Sequence, residues 1–545
     1  MGVPYYFKYL TTNIRECVTA KIPPMPVVLY LDFNSVVYEA KATVMSGDVV
    51  YRKKSAIEYA ICEEVVRCLC RILVSVGIAR LRCVYIAIDG IAPMAKIAQQ
   101  RQRRFKSAME ADFMNSVDTQ RQDSSATDAT ERQYAWDSNA ITPNTKFMER
   151  LSAHLDGCVE YLRHLTGGSV EFIFDSWKNT GEGEHKLFTH IREKGGTDEY
   201  SDCLKVVYGL DADLIVLSLF HSLGDAYDGK MYLYREASYF PFQKSSSNHL
   251  GNGYLYMNVR VLREGILREF QCDPSVPVIN TLTDYVLLTF LMGNDFIPNL
   301  FILRIQKGGF DAIMAAYRKG YAMYRCNLVQ RDGGDGGAYR IHWNFFGFIL
   351  KELLKIEDRM LRELAEDFYR FRPNLRSTDA LERRKEMFHY YPKMVNETDT
   401  IRIGESGWQM RFYKYWLDGM PDTAMVEEMC RQYVEGMLWI LGYYATGTCD
   451  QSWNYPYTIA PCLRDLSAYY SANSVQEYIS IDRKFSGEPV DGLIQLLYVL
   501  PKKSMRCIPK EWRMTTNQSI YTHLYPTTFR LKTLYKKYYH ECVGV

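Results

Sequence analysis

Three apolar, β-branched runs that close on acids constrain this chain more than any other feature. VVLYLD ends at Asp32, VYIAID ends at Asp89, and VVYGLDAD sets Asp211 and Asp213 just past its apolar stretch. Short runs of this kind at Val27–Leu31, Cys83–Ile88, Val170–Phe174 and Leu204–Tyr208 alternate with helical patterns over the first part of the chain. Runs that are apolar throughout, rather than alternating, belong to strands buried on both faces. The expected fold is therefore α/β, a mainly parallel sheet flanked by helices.

The placement of the acids follows from that fold. In an open parallel sheet the carboxyl ends of the strands share one rim, and active sites gather there. Four carboxylates brought to one crevice repel each other by several kcal/mol unless cations neutralise them. Two further acids, Glu182 and Glu184, lie in GEGEHK where a loop enters a helix, and Asp295 lies in MGNDFIP. An all-oxygen donor set selects hard cations, Mg²⁺ or Mn²⁺, over zinc. Two such ions about 4 Å apart suit phosphodiester hydrolysis. Singly, each acid has a plainer reading as a turn residue, a helix cap or a solvated loop; the joint pattern is what points to a nuclease.

A basic helix follows Asp89 directly. Within DGIAPMAKIAQQRQRRFKSA, Lys96, Gln100, Arg103 and Arg104 recur at helical spacing, and no acid lies between Lys96 and Lys106. Such a face, a few residues from a metal-binding Asp, is suited to gripping a phosphate. An ordinary solvated helix face is the plain alternative.

Residues 1–340 read as the α/β core and 341–545 as a mainly helical second region, with amphipathic stretches at Phe345–Arg370 and Met425–Tyr444 and a basic, aromatic tail. Asn115–Thr130, rich in polar residues, and RDGGDGG at Arg331–Gly337 read as loops, the latter a boundary. Net charge is only +2, so bulk charge decides nothing about a polyanionic partner. The 14 cysteines show no zinc-type spacing. No apolar run reaches the ~18 residues a membrane helix needs, so no membrane partner is expected. Scattered cysteines without a signal peptide suggest a reduced, intracellular setting, cytoplasmic rather than nuclear for want of a strong basic localisation run.

These motifs carry a family resemblance. MGVPYYFKYL, LYLDFNSVVYEA, AIDGIAPMAKIAQQRQRRF, NAITPNTKFMERL, GEGEHKLFTHI, YGLDADLIVLSL and FLMGNDFIP, in this order, closely resemble the XRN family of 5′-to-3′ exoribonucleases. YVEGMLWILGYYATG and SWNYPYTIAPCLRDL resemble that family's second conserved region. The resemblance implies a PIN/flap-nuclease-like core and hydrolysis of single-stranded RNA from a 5′-monophosphate end to nucleoside monophosphates by two Mg²⁺ ions. It implies that Asp32, Asp89, Glu182, Glu184, Asp211, Asp213 and Asp295 hold the metals. Lys96, Gln100, Arg103 and Arg104 would then receive the 5′ phosphate. Tyr38 stands where the family typically has a His that stacks on the first base, and Trp453, in a shortened stretch, would supply the opposing ring. The chain ends where the family's conserved core ends, so a minimal catalytic core without the long C-terminal extension is expected. A flap-type DNA nuclease, a non-catalytic RNA-binding or structural protein retaining the fold, and a small-molecule phosphatase stay open as alternatives.

Overall fold

The computed structural model describes residues 5–47, 49–122, 136–209, 211–237, 253–270, 275–331, 338–370, 372–388, 400–417, 419–472, 478–480, 488–513, 523–526, 530–533 and 540–543. Its centre is a seven-stranded sheet. The strands are β1 (Val18–Thr19), β2 (Val27–Asp32), β3 (Leu81–Ala87), β4 (Glu171–Asp175), β5 (Leu204–Tyr208), β6 (Met231–Glu236) and β7 (Tyr254–Asn258), in the order β1-β7-β6-β5-β2-β3-β4. β6, β5, β2, β3 and β4 pair in parallel, while β7 pairs antiparallel with both β6 and β1.

β2 shows why the sequence folds this way. All six of its residues are buried. Val28 and Tyr30 enter one apolar cluster, and Val27, Leu29 and Leu31 enter the other. The period of two sends alternate side chains to opposite faces, and each face needs helices over it. Helices Asn34–Ser46, Lys54–Val76 and Lys146–Leu165 cover one face; Gly183–Lys194, Asp213–His221 and Val259–Phe270 cover the other.

The second region is largely helical, built on Trp343–Arg370 and Thr423–Thr446. It does not lie wholly to one side. Leu496, Val499, Leu500, Cys507 and Ile508 join the cluster of β2 and β3 on the first face, so the segment around residues 490–508 returns to the α/β layer.

One expected loop is helix in part. The basic helix runs unbroken over Met94–Gln122, through the stretch Asn115–Gln122. Val117 is fully buried, and Phe113 stacks on Phe388 at 4.4 Å between ring centroids. Packing of Phe113 on the helix Ala380–Phe388 and burial of Val117 one turn on override the polar composition. Residues 123–130 of that stretch, and 332–337 of the expected boundary, lie outside the described residues.

Candidate active site

The pairing register levels the carboxyl ends of the central strands: Asp32 pairs with Ala87, Ala87 with Asp175, and Leu31 with Tyr208. The chain goes to one side of β2 through β3 and β4 and to the other through β5 and β6, so this rim is a topological switch point. Asp32 ends β2, Asp89 lies two residues past β3, and Asp211 and Asp213 follow β5. Glu182 stands at the N-terminus of the helix Gly183–Lys194.

Gly183 is what lets that helix approach. A Cβ there would sit 3.0 Å from Asp32 Oδ1 and 3.3 Å from Asp89 Oδ1. Its N–H instead donates to Asp89 Oδ1 at 2.7 Å, while the Asn34 amide donates to the other oxygen of Asp89. A helix N-terminus is a favourable neighbour for such charge.

Lys96 reaches into the same cluster. Its Nζ lies 2.6 Å from Glu182 Oε2 and 3.0 Å from Asp295 Oδ2. Although burial opposes charge, Glu182 and Asp295 hold the ammonium well above the usual lysine range. Asp295, equally buried, is held below the carboxylate range by Lys96. Lys96 does not offset the rest. Burial, then Asp89 and Asp211, push Asp32 well above the carboxylate range. Glu184 is raised likewise by burial against the pull of Lys96, with Asp213 and Glu182 adding to the shift. Burial and Asp295 push Asp213 up to about 7. The seven acids therefore form one electrostatically linked set.

That set fits a hard divalent cation. Asp32, Glu182, Glu184, Asp213 and Asp295 are buried, Asp89 is half-buried and Asp211 exposed; they repel one another and, among the described residues, are short of positive charge. Glu182, Glu184 and His185 each offer a ligand atom, all within 4.8 Å of one another. His185 is buried and lies flat on Tyr443, with ring centroids 3.6 Å apart. Neither of its ring nitrogens has a hydrogen-bond partner among the described residues. Burial, then Arg192 and Lys96, lower its pKa well below the usual value, which leaves a neutral imidazole.

The basic helix divides its expected binding residues between two sides. Lys96, Gln100 and Arg104 lie inward at i, i+4 and i+8, whereas Arg103 is exposed. Arg104 is buried, and among the described residues its one hydrogen bond runs from Nη1 to Asn139 Oδ1 at 3.1 Å. No carboxylate pairs with it among the described residues, and burial lowers its pKa. The buried Gln100 Oε1 likewise has no partner among the described residues. Arg101 turns away, donating to Leu524 O at 2.5 Å and lying between the Phe105 and Tyr498 rings.

Tyr38, in the helix that follows Asp32, is 38% exposed and lies within electrostatic reach of Arg104. Trp453 is only 5% exposed. Its ring stacks on Trp439 at 5.0 Å, and a Cβ on Gly436 would come within 2.8 Å of it. Tyr38 is thus partly open to solvent, whereas Trp453 is packed into the second region, where apolar partners already cover it.

Comparison with known proteins bears on the whole chain. Residues 1–227 match the family model for the XRN 5′-3′ exonuclease N-terminus, and residues 278–396 and 376–544 match that for the Xrn1 helical domain. The chain belongs to the XRN family. It is 28% identical to human 5′-3′ exoribonuclease 1 over 97% of its own length and 32% of that protein's. It is 26% identical to the 5′-3′ exoribonuclease 2 homolog of Caenorhabditis elegans over 85% of its length and 60% of the relative's. For 5′-3′ exoribonuclease 1 of Saccharomyces cerevisiae the figures are 25%, 97% and 41%. The matched region thus spans from about a third to three-fifths of these relatives.

Several groups of this XRN chain's site were not singled out in its sequence. Tyr443 Oη donates to Glu182 Oε1 at 3.0 Å from the second region. The buried Tyr444 hydroxyl has no partner among the described residues and lies within electrostatic reach of Asp213 and Glu184. The adjacency of His185 to Glu184 was the one available signal for that residue. Asp175, at the end of β4, is a fifth strand-end acid, but Lys186 Nζ lies 3.0 Å from it and Tyr85 donates to it at 2.7 Å. It is already satisfied.

Proposed function

We propose that this protein is a divalent-cation-dependent 5′-to-3′ exoribonuclease that degrades single-stranded RNA from a 5′-monophosphate end to nucleoside monophosphates. One observation carries the reading. On one face of one helix, Lys96 stands in a cluster of seven acids, and two turns on Arg104 is buried with no acidic partner among the described residues. A charge-starved carboxylate site beside a buried, anion-seeking guanidinium suits a substrate with a cleavable phosphodiester next to a terminal phosphate.

Asp32, Asp89, Glu182, Glu184, Asp211, Asp213 and Asp295 would hold two Mg²⁺ ions, with Mn²⁺ able to substitute. Bound there, the ions would supply activation of water and charge stabilisation at the leaving oxygen. The protein's own residues do the selecting. Arg104 and Gln100 receive the terminal phosphate from the buried side, Arg103 approaches from the exposed side, and Lys96 joins this pocket to the acids. Tyr38 offers its ring to the first base. The names of the relatives support the activity. The unpaired state of the described cysteines supports a reducing compartment inside the cell, which we take to be the cytoplasm.

The test is incubation with Mg²⁺ of RNAs of one sequence bearing 5′-monophosphate, 5′-triphosphate or 5′-hydroxyl ends, beside the matched DNA strand. Rapid loss of the monophosphate RNA alone is expected. Equal cleavage of all four would overturn the reading, and preferential cleavage of DNA would favour a flap-type nuclease.

A further inference from the structure

Arg104 raises a question that the phosphate pocket by itself does not answer: what keeps a buried guanidinium in place when no acid among the described residues pairs with it? Its partner is Asn139, in the turn Ser138–Ala140. The backbone of Asn139 is fixed on both sides. Its N–H donates to Asp137 Oδ1 at 3.0 Å, and its carbonyl accepts from Thr142 Oγ1 at 2.7 Å. Its amide is fixed too, because Nδ2 donates at 2.9 Å to Oγ of Ser504, which is 2% exposed. Ser504 belongs to the turn Lys502–Cys507, in the segment of the second region that returns to the α/β layer.

The nearby acid is already committed. Asp137 lies within electrostatic reach of Arg104. Its Oδ1 caps the turn, while its Oδ2 faces Arg506 Nε at 3.8 Å and Cys507 Sγ at 3.9 Å. The chain thus meets Arg104 with a neutral amide where the usual partner of a buried guanidinium is a carboxylate. A carboxylate would hold the side chain more firmly and would also neutralise it. An amide holds it and leaves its charge for a ligand.

We propose that Asn139, oriented by Ser504, is a positioning residue that sets 5′-end specificity by holding Arg104 in place without neutralising it. The inference rests on the reading of this helix face as the 5′-phosphate pocket. The second region thereby takes part in end recognition through Ser504, 365 residues from Asn139 along the chain.

The decisive variant is Asn139→Asp, which keeps the size and the acceptor and adds the charge. The affinities of the full chain for 5′-phosphorylated and 5′-hydroxyl RNA of one sequence are measured with divalent ions chelated, so that nothing is cut. Asn139→Asp should lower the ratio of the two affinities about ten- to a hundredfold, the value of one charge-assisted contact. Asn139→Ala should lower it less, about three- to tenfold, and Ser504→Ala less again. In turnover the loss should fall on KM rather than kcat. A merely structural role gives the opposite order, because Asp retains the bond to Arg104 and Ala does not. A wild-type ratio in Asn139→Asp overturns the inference and leaves the pocket standing. A ratio near one in the wild-type protein overturns both. Should Asn139→Asp fail to fold, an unchanged ratio in Ser504→Ala overturns the inference by itself.

Discussion

Lys96 Nζ lies 2.6 Å from Glu182 Oε2, which sets the ammonium of the basic helix inside the acidic cluster rather than beside it. The side chain is 12% exposed and that of Glu182 4%, so solvent screens the pair little. Removing one partner of such a pair strands the other, at a cost of about 3–5 kcal/mol. Lys96→Met should therefore lower the melting temperature in chelator, and Mg²⁺ should raise it more than in the wild-type protein, because added cations replace the lost charge. Thermal melts of both proteins with and without Mg²⁺ check this. An equal metal-induced rise in the two proteins would show that lysine and metal do not share these carboxylates.

The raised carboxylates give a pH dependence with a definite sign. In the folded chain Asp32 and Glu184 are raised well above their usual range and Asp213 to about 7. Protonated acids stabilise the metal-free fold fully below the unfolded value of about 4, and that stability is lost as pH rises through the folded values. The metal-free melting temperature should fall between about pH 5 and about pH 8, with the part due to Asp213 lost around pH 7. Mg²⁺ should restore it more at the upper end, where its binding displaces fewer protons. A metal-induced shift that is the same at both ends would contradict the charge-starved site.

Asp211→Asn and Glu184→Gln should each lower turnover by orders of magnitude while leaving RNA affinity nearly intact, since that affinity comes from basic and aromatic groups. Asp211 is exposed and Glu184 buried, so agreement between the two separates loss of a metal ligand from loss of packing. Single-turnover rates at saturating Mg²⁺, beside affinities in chelator, test this. Near-normal turnover in both variants would remove them from the site.

Four strands of the seven-stranded sheet, β2 to β5, and the acids were legible because they are local, whereas β1, β6 and β7 carry no equally apolar run and were not read. An apolar run names its own strand, and the register brings the acids after β2, β3 and β5 to one rim without further information. The amphipathic faces of Trp343–Arg370 and Thr423–Thr446 were equally plain. What stayed hidden depends on side chains that meet across long separations. Tyr443 is 261 residues from Glu182, and no spacing rule connects them. The helical face of Lys96, Gln100 and Arg104 could be read, but not that Arg103 points outward, because that depends on what covers the helix. Trp453 could be matched by motif alone; its burial against Trp439 follows from a glycine at 436 that no local pattern marks.

Asp284 should govern stability rather than activity. Fully buried, it accepts from Leu328 N at 2.8 Å, Val329 N at 2.7 Å, Tyr317 Oη at 2.7 Å and Asn327 Nδ2 at 3.1 Å. It ties the helix Val278–Thr289 to the chain at residues 327–329. Asp284→Ala removes the acceptor of two backbone and two side-chain donors, at about 1–3 kcal/mol for each that neither water nor another group then satisfies. Denaturant unfolding should show a loss of several kcal/mol. A loss under 1 kcal/mol would mean that these donors find other partners.

Tyr38 carries the test of base stacking. A phenol ring offers a stacking face worth roughly 1–3 kcal/mol per base but stays neutral near pH 7. Tyr38→Phe should retain most activity, and Tyr38→Ala should slow degradation and release partly shortened RNAs when RNA is in excess. An unchanged product ladder for Tyr38→Ala, at unchanged stability, would exclude the ring from translocation.

The most direct measurement labels the 5′ phosphate itself. Single-stranded RNA carrying a radioactive 5′-monophosphate is mixed with the protein and Mg²⁺, and the products are resolved by size from the earliest times. Cleavage at the first phosphodiester, with the terminal phosphate held in the pocket of Gln100, Arg103 and Arg104, releases the label only as a mononucleotide, and Glu184→Gln should release almost none. Label appearing first in fragments several nucleotides long, or in a ladder shortening from the 3′ end, would contradict a 5′-to-3′ exonuclease.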